Sequence, residues 1–173
     1  DSESTDKGIR APLDLVLCDN YSCSLVQLRH TVNPELMYRE YWYRSGVNKT
    51  MRDALSNITS SAQKHVKLGR GDIAVDIGAN DGTLLKYFKK DNIITIGCEP
   101  AKNLKNELKK NCHFLINDFW HTKHLKKIPN KFLKLKVISA IGMFYDLENP
   151  SEFIKHAAEA LDDDGIFVAQ LMC

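Results

Sequence analysis

Three acidic residues stand at chemically telling places in the sequence. Asp76 lies in Val75-Asp76-Ile77-Gly78-Ala79-Asn80-Asp81-Gly82-Thr83, where a short apolar run gives way to a glycine-punctuated turn. Glycine lets a backbone turn sharply and approach a ligand closely. The spacing is Asp-x-Gly-x-x-x-Gly rather than the Gly-x-Gly-x-x-Gly of a dinucleotide site. A dinucleotide brings a pyrophosphate, which favours a bare helix N-terminus. An acid at the strand end suits a positively charged amino group instead. The second acid, Glu99, follows Gly82 by 17 residues in Gly97-Cys98-Glu99-Pro100. A carboxylate there can accept hydrogen bonds from a pair of ribose hydroxyls, each worth about 1.5–3 kcal/mol because the acceptor is charged. The third, Asp118, sits in Asn117-Asp118-Phe119-Trp120, an acceptor for an exocyclic amine beside an aromatic face.

The elements that must position these residues follow from the pattern of apolar residues. Residues 73–77, 93–97, 113–116, 137–141 and 165–171 read as strands, and residues 83–90, 101–110 and 150–161 as helices between them. Pro150 suits a first helical turn. Alternating strands and helices with almost wholly apolar strands predict an α/β fold, a parallel sheet covered on both faces. Such sheets bind ligands beyond the carboxyl ends of their strands. Asp76, Glu99 and Asp118 all stand at such ends, and together they describe a site for an adenosyl amino acid, S-adenosylmethionine. Upstream, Met51, Ala54, Leu55, Ile58, Ala62 and Val66 follow helical spacing from about Asn48 to Val66. Gly69 and Gly71 then break the chain. Residues 13–17 and 25–28 are readable as a small hairpin around Cys18 and Cys23, and residues 1–10 as a loose polar lead.

Composition bounds the function classes. The 173 residues carry a net charge of +2 and are 43% hydrophobic and 27% charged, which suits a globular domain. No apolar run reaches the ~18 residues of a membrane span, and none reads as a signal peptide. The charge is unevenly spread: residues 86–136 hold 13 lysines against four acids, whereas residues 137–173 hold one lysine against seven. Lysines interleaved with apolar residues suit the outer faces of helices better than a nucleic-acid surface. Five cysteines without a signal peptide point to free thiols in a reducing, cytoplasmic setting. Cys18 and Cys23 supply at most two of the four ligands of a closed zinc site. His121 and His124, with Cys112 and His113 nearby, read as solvated side chains of a lysine-rich segment rather than as metal ligands. Tyr38-x-x-Tyr41-Trp42-Tyr43-Arg44-Ser45 is a dense aromatic cluster. It can pack the N-terminal segment onto the sheet, or set a tyrosine over a substrate as acid or base.

Residues 75–85, Gly97-Cys-Glu-Pro-Ala101 and Ile138-Ser-Ala-Ile-Gly-Met-Phe-Tyr-Asp-Leu-Glu-Asn-Pro150 resemble class I S-adenosylmethionine-dependent methyltransferases. Pro12-Leu-Asp-Leu-Val-Leu-Cys18, Cys23-Ser-Leu-Val-Gln-Leu28 and Tyr41-x-Tyr43-x-Ser45 resemble one branch of them, the C-methyltransferases of nucleotide-activated keto-deoxysugars. The resemblance implies a Rossmann-like doubly wound sheet, ending here after its fifth strand, preceded by a short cysteine-containing segment. It divides the chain into residues 1–47, related to a zinc module, a linking helix over 48–70, and a cofactor domain over 71–173. It implies that Asp76, Gly78, Ala79, Asn80, Gly82 and Thr83 line the methionyl end. Glu99 and Pro100 would hold the ribose, Asp118 and Phe119 would meet the adenine, and Ile141 and Met143 would flank the sulfonium and substrate. Tyr43, or else Tyr41, would move the proton. The implied reaction is C-methylation of a keto sugar through an enolate, leaving S-adenosylhomocysteine as product. Zinc, a membrane and nucleic acid are not expected partners. Methylation of another small molecule or of nucleic acid, and cofactor binding without turnover, are the alternatives these residues leave open.

Overall fold

The computed structural model describes residues 10–128 and 134–171. Residues 1–9 of the loose lead expected over 1–10, and the terminal Cys173, lie outside the described residues. The chain divides into two compact units, one up to Met37 and one from Tyr38 onward.

The first unit is built on a hairpin. Strands β1 (Leu15–Leu17) and β2 (Val26–Leu28) pair antiparallel, with Leu15 opposite Leu28 and Leu17 opposite Val26. Asn20 shapes the connection by accepting hydrogen bonds from the amide and hydroxyl of Ser22 at its side chain. Its carbonyl accepts from the amides of Cys23 and Ser24. Cys18 is half-buried, Cys23 is exposed, and both are free thiols. A single helical turn, α1 (Pro34–Tyr38), follows, its last residue being the first of the second unit, with the Asn33 side chain accepting from the Glu35 amide.

The second unit carries the sheet. Helix α2 (Lys49–His65) starts where Asn48 accepts from the Thr50 amide, and it buries Leu55, Thr59 and Ala62. Then come β3 (Ile73–Ile77), α3 (Thr83–Lys90), β4 (Ile94–Cys98), α4 (Lys105–Asn111), β5 (Phe114–Ile116), β6 (Leu135–Ile141), α5 (Pro150–Ala160) and β7 (Leu161–Gln170). The five strands are parallel in the order β5-β4-β3-β6-β7. Strand order therefore reverses between β3 and β6. One face of the sheet packs Ile73, Val75, Ile77, Ile138 and Ala140 against Phe153, Ala157 and Ala160 of α5. The other packs Ala74 and Val137 against Leu55 and Ala62 of α2, Leu84, Leu85 and Phe88 of α3, and Leu108 of α4. The α/β class and the doubly wound parallel sheet expected from the sequence are what the chain forms.

Boundaries differ where long-range contacts decide them. Strand β7 starts at Leu161 rather than Gly165, because Leu161 pairs with Leu135 and Lys136 holds both Asp162 and Asp164. Helix α4 starts at Lys105 rather than Ala101. The Ala101 amide is taken by the Glu99 carboxylate and the Lys102 amide by the Arg39 carbonyl, so the chain turns once before the helix begins. Two short 3-10 turns, Thr122–Lys127 and Phe144–Asp146, have no counterpart in the sequence reading. The described lysines of the basic block lie mostly on the exposed sides of α3, α4 and the first of these turns. No helix among the described residues is long and apolar enough to cross a membrane.

Candidate functional site

Strand β3 is buried along its whole length, which puts a carboxylate in the sheet at Asp76. Asp76 is 4% exposed. Its register partner on β6 is Ser139, whose hydroxyl donates to Asp76 Oδ1 at 2.7 Å. Burial pushes the Asp76 carboxyl up to about 7, against the Ser139 hydrogen bond and with help from the charge of Glu99. This buried acid stands at the reversal of strand order, where open parallel sheets take their ligands.

The turn that follows is held in an unusual shape. Gly78, Asn80 and Gly82 all have positive φ, +72°, +52° and +81°. The φ of Gly78 favours glycine, and a β-carbon there would also crowd Met143 Cγ at 3.0 Å. The Gly78 and Ala79 amides donate to the Cys98 carbonyl, clamping the turn to the end of β4. Asn80 then donates its amide to Glu99 Oε2 at 2.8 Å, while Ala101 donates to Glu99 Oε1 at 2.9 Å. Glu99 is 6% exposed, and burial raises its carboxyl against those two amide bonds. Each carboxylate oxygen has a second lone pair, so Glu99 retains capacity to accept hydroxyl groups. Thr83 donates its amide and hydroxyl to Asp81 Oδ1, fixing the entry to α3.

The third strand end is different. Asn117 ties the ends of β4 and β5 together by donating to the carbonyls of Glu99 and Ala101. Asp118 is half-exposed, and its Oδ1 accepts from the Phe119 amide at 2.9 Å and from Arg39 Nη2 at 2.8 Å. Burial would raise its carboxyl, but the Arg39 hydrogen bond, the Phe119 amide and the charges of Arg39 and His124 hold it below the usual range.

A strap, residues 39–47, crosses these strand ends. Tyr41 and Asn103 exchange two hydrogen bonds, Arg44 Nε donates to both carboxylate oxygens of Glu107, and the Ser45 and Gly46 amides donate to Asn80 and Asp81. The Asn80 side chain also donates to the Tyr43 carbonyl. Tyr41 and Tyr43 thus sit on the strap, fixed by their backbones, with the Tyr43 ring edge-on to Trp42. Across the reversal point, Ile141 ends β6, and Met143 precedes the 3-10 turn of Phe144–Asp146.

The structure therefore brings Asp76, Gly78, Ala79, Asn80, Gly82, Thr83, Glu99 and Pro100 into one cradle at the ends of β3 and β4. Asp118 and Phe119 flank it at the end of β5. Four residues of this region escaped the sequence reading. Ser139 carries a signal, a lone hydroxyl inside the apolar run of β6. Asn117 and Arg39 carry none, since their partners are far away in sequence. Tyr38 lies in the aromatic cluster, where nothing in the sequence sets it apart from its neighbours. Its phenol hydrogen-bonds Asp146, and burial together with that carboxylate pushes its pKa up to about 12. The histidines pair with other groups: His121 stacks on His156 at 4.5 Å, and His113 Nδ1 contacts the Thr95 hydroxyl. No cluster of three potential ligands forms among the described residues.

The carboxylate acceptors fit a cationic, ribose-bearing ligand. A positive group beside Asp76 would offset the cost of ionising a carboxylate that burial holds near neutrality. A family model described as a methyltransferase domain matches residues 43–173. The C-methyltransferase NovU of Streptomyces niveus is 29% identical over 93 residues, which make up 54% of this chain and 22% of that protein. The match thus spans less than a quarter of that relative's length. Two solved structures share the fold. One is the plantazolicin methyltransferase BpumL in complex with a pentazolic desmethylPZN analog and SAH, with a TM-score of 0.55 and 19% identity over 72% of this chain and 49% of that one. The other is the mycolic acid cyclopropane synthase CmaA1 complexed with SAH and CTAB, with a TM-score of 0.53 and 19% identity over 79% of this chain and 49% of that one.

Proposed function

The chain belongs to the methyltransferase domain family, and from that premise we propose that it binds S-adenosylmethionine and serves methyl transfer to carbon of a nucleotide-activated keto sugar. One observation carries the cofactor half: the buried Asp76, raised to about 7 at the point where strand order reverses and followed by a turn in left-handed geometry. Asp76 would hold the amino group through the turn of Gly78, Ala79, Asn80, Gly82 and Thr83. Glu99 beside Pro100 would accept the ribose hydroxyls, and Asp118 with Phe119 would meet the adenine. The cofactor supplies a methyl group on a positively charged sulfur, electrophilic at carbon. Ile141 and Met143 would wall the space in which that methyl meets its acceptor.

The sugar half rests on the likeness to a C-methyltransferase, NovU. For such an acceptor, Tyr43 or Tyr41 on the strap, as its phenolate, would take the proton beside the ketone; the enolate carbon would then bond to the methyl as the carbon–sulfur bond breaks, leaving S-adenosylhomocysteine. Orientation supplies much of the rate when the reacting carbons are held about 3–3.5 Å apart. Calorimetric titration with S-adenosylhomocysteine tests the cofactor half. Asp76→Ala and Glu99→Ala should each weaken binding at least tenfold, the loss expected for one charged hydrogen-bonding partner. Unchanged affinity in both variants refutes the site. Methyl transfer to a keto-sugar nucleotide tests the sugar half: turnover that is lost in Tyr43→Phe or Tyr41→Phe supports it, and no turnover on any such nucleotide despite cofactor binding refutes it.

A further inference from the structure

The wall assigned above to the adenine already has a planar tenant. Arg39 reaches from the strap to the ends of β4 and β5. Its Nη2 donates to Asp118 Oδ1 at 2.8 Å, and its Nη1 lies 3.5 Å from the Pro100 carbonyl. Its Cζ stands 4.7 Å from the centroid of the Phe119 ring. A guanidinium is flat, stacks on aromatic faces and carries its N–H donors in the plane. An adenine ring is also flat and also directs amine N–H groups outward in its plane. Each would use the face of Phe119 and the carboxylate of Asp118. Two planar groups cannot share one side of that ring and one oxygen of that acid.

We infer that Arg39 is an intramolecular competitor, whose side chain occupies the adenine subsite and must swing out before an adenosine-bearing ligand can seat. The inference rests on the cofactor reading above and deepens it. The displacement needed is local. The Arg39 carbonyl remains bonded to the Lys102 amide, and the strap is anchored independently at Tyr41, Arg44, Ser45 and Gly46. The side chain is 21% exposed, so it has a way out to solvent. Once Arg39 has left, Asp118 Oδ1 keeps its bond to the Phe119 amide and gains a place for an incoming amine, while Oδ2 stays 3.6 Å from His124 Nε2. A residue that merely supported the site would strengthen ligand binding; a competitor weakens it. The two roles therefore differ in sign.

The test is calorimetric titration of the chain, its Arg39→Ala variant and its Arg39→Lys variant with S-adenosylhomocysteine, adenosine and L-methionine. Removing a stacked, half-exposed ion pair should tighten S-adenosylhomocysteine and adenosine by about tenfold in Arg39→Ala. Lysine keeps the charge pairing but not the flat face, so Arg39→Lys should gain a smaller part of that factor. L-Methionine, which has no ring, should bind all three alike. Equal or weaker binding of S-adenosylhomocysteine to either variant, with wild-type binding intact, overturns the competitor and leaves the cofactor reading standing. Absence of S-adenosylhomocysteine binding to all three proteins overturns both. A thermal melt of each variant confirms that folded protein is compared, and Arg39→Lys carries the test should Arg39→Ala fail to fold.

Discussion

Replacing Asp76 with asparagine removes a carboxylate charge that burial penalises, and its effect on stability depends on pH. Burial in the folded chain raises the Asp76 carboxyl from its ordinary 3.8 to about 7. Between those values the folded state holds a proton that the unfolded state has released. Stability from this group is therefore fully present below about pH 4 and is lost as pH rises through 7. A shift of about three pH units corresponds to about 4 kcal/mol. Asparagine does not titrate, so the variant escapes that loss. Its amide can accept the Ser139 hydroxyl through its oxygen, much as Asp76 Oδ1 does. Any fixed cost of the amide is the same at every pH. The stability difference between Asp76→Asn and wild type should therefore change in favour of the variant by up to about 4 kcal/mol between pH 4 and pH 8. Urea denaturation of both proteins at pH 4, 5, 6, 7 and 8 measures it. A difference that stays constant across that range refutes the claim that Asp76 is a raised, buried acid. The trade is informative, because the same variant should bind S-adenosylhomocysteine more weakly. A group that costs stability while serving a ligand marks a functional site.

Two further outcomes follow from neighbouring residues. Ser139→Ala deletes the donor that favours the charged form of Asp76, so the pH at which S-adenosylhomocysteine affinity falls away should move up by about one to two pH units, read from titrations across pH 6–9. Gly82→Ala places a β-carbon 2.7 Å from Asn111 Cβ and 2.9 Å from Leu108 Cδ1 at a residue whose φ is +81°. It should destabilise the chain by about 1–3 kcal/mol or more in urea denaturation.

How far the sequence discloses the site depends on how local the determining forces are. Strand β3 and helix α3 fall where the pattern puts them, because a continuous apolar run and a glycine-to-threonine helix start are local signals. The three acids are legible for the same reason, since each stands at the end of a strand. Strand β7 is not legible over its first four residues. Leu161-Asp-Asp-Asp has no strand pattern and is placed by Leu135 and Lys136 across the sheet. The start of α4 is likewise set from outside, by Glu99 and Arg39 taking the amides of Ala101 and Lys102. The strap shows the limit most clearly. Arg39 meets Asp118 and Arg44 meets Glu107 across 79 and 63 residues of chain. A lone arginine in an aromatic segment gives no hint of which acid it will find. The part of the site made by strand ends was therefore readable, and the part made by side chains reaching over them was not.

The most direct test of the account is a crystal structure of the chain with S-adenosylhomocysteine bound. The amino group is expected on the Asp76 side of the Gly78–Gly82 turn, the ribose hydroxyls at Glu99, and the adenine against Phe119 with Arg39 moved aside. A ligand seated elsewhere, or one whose ribose and amino groups make no approach to Glu99 and Asp76, contradicts it.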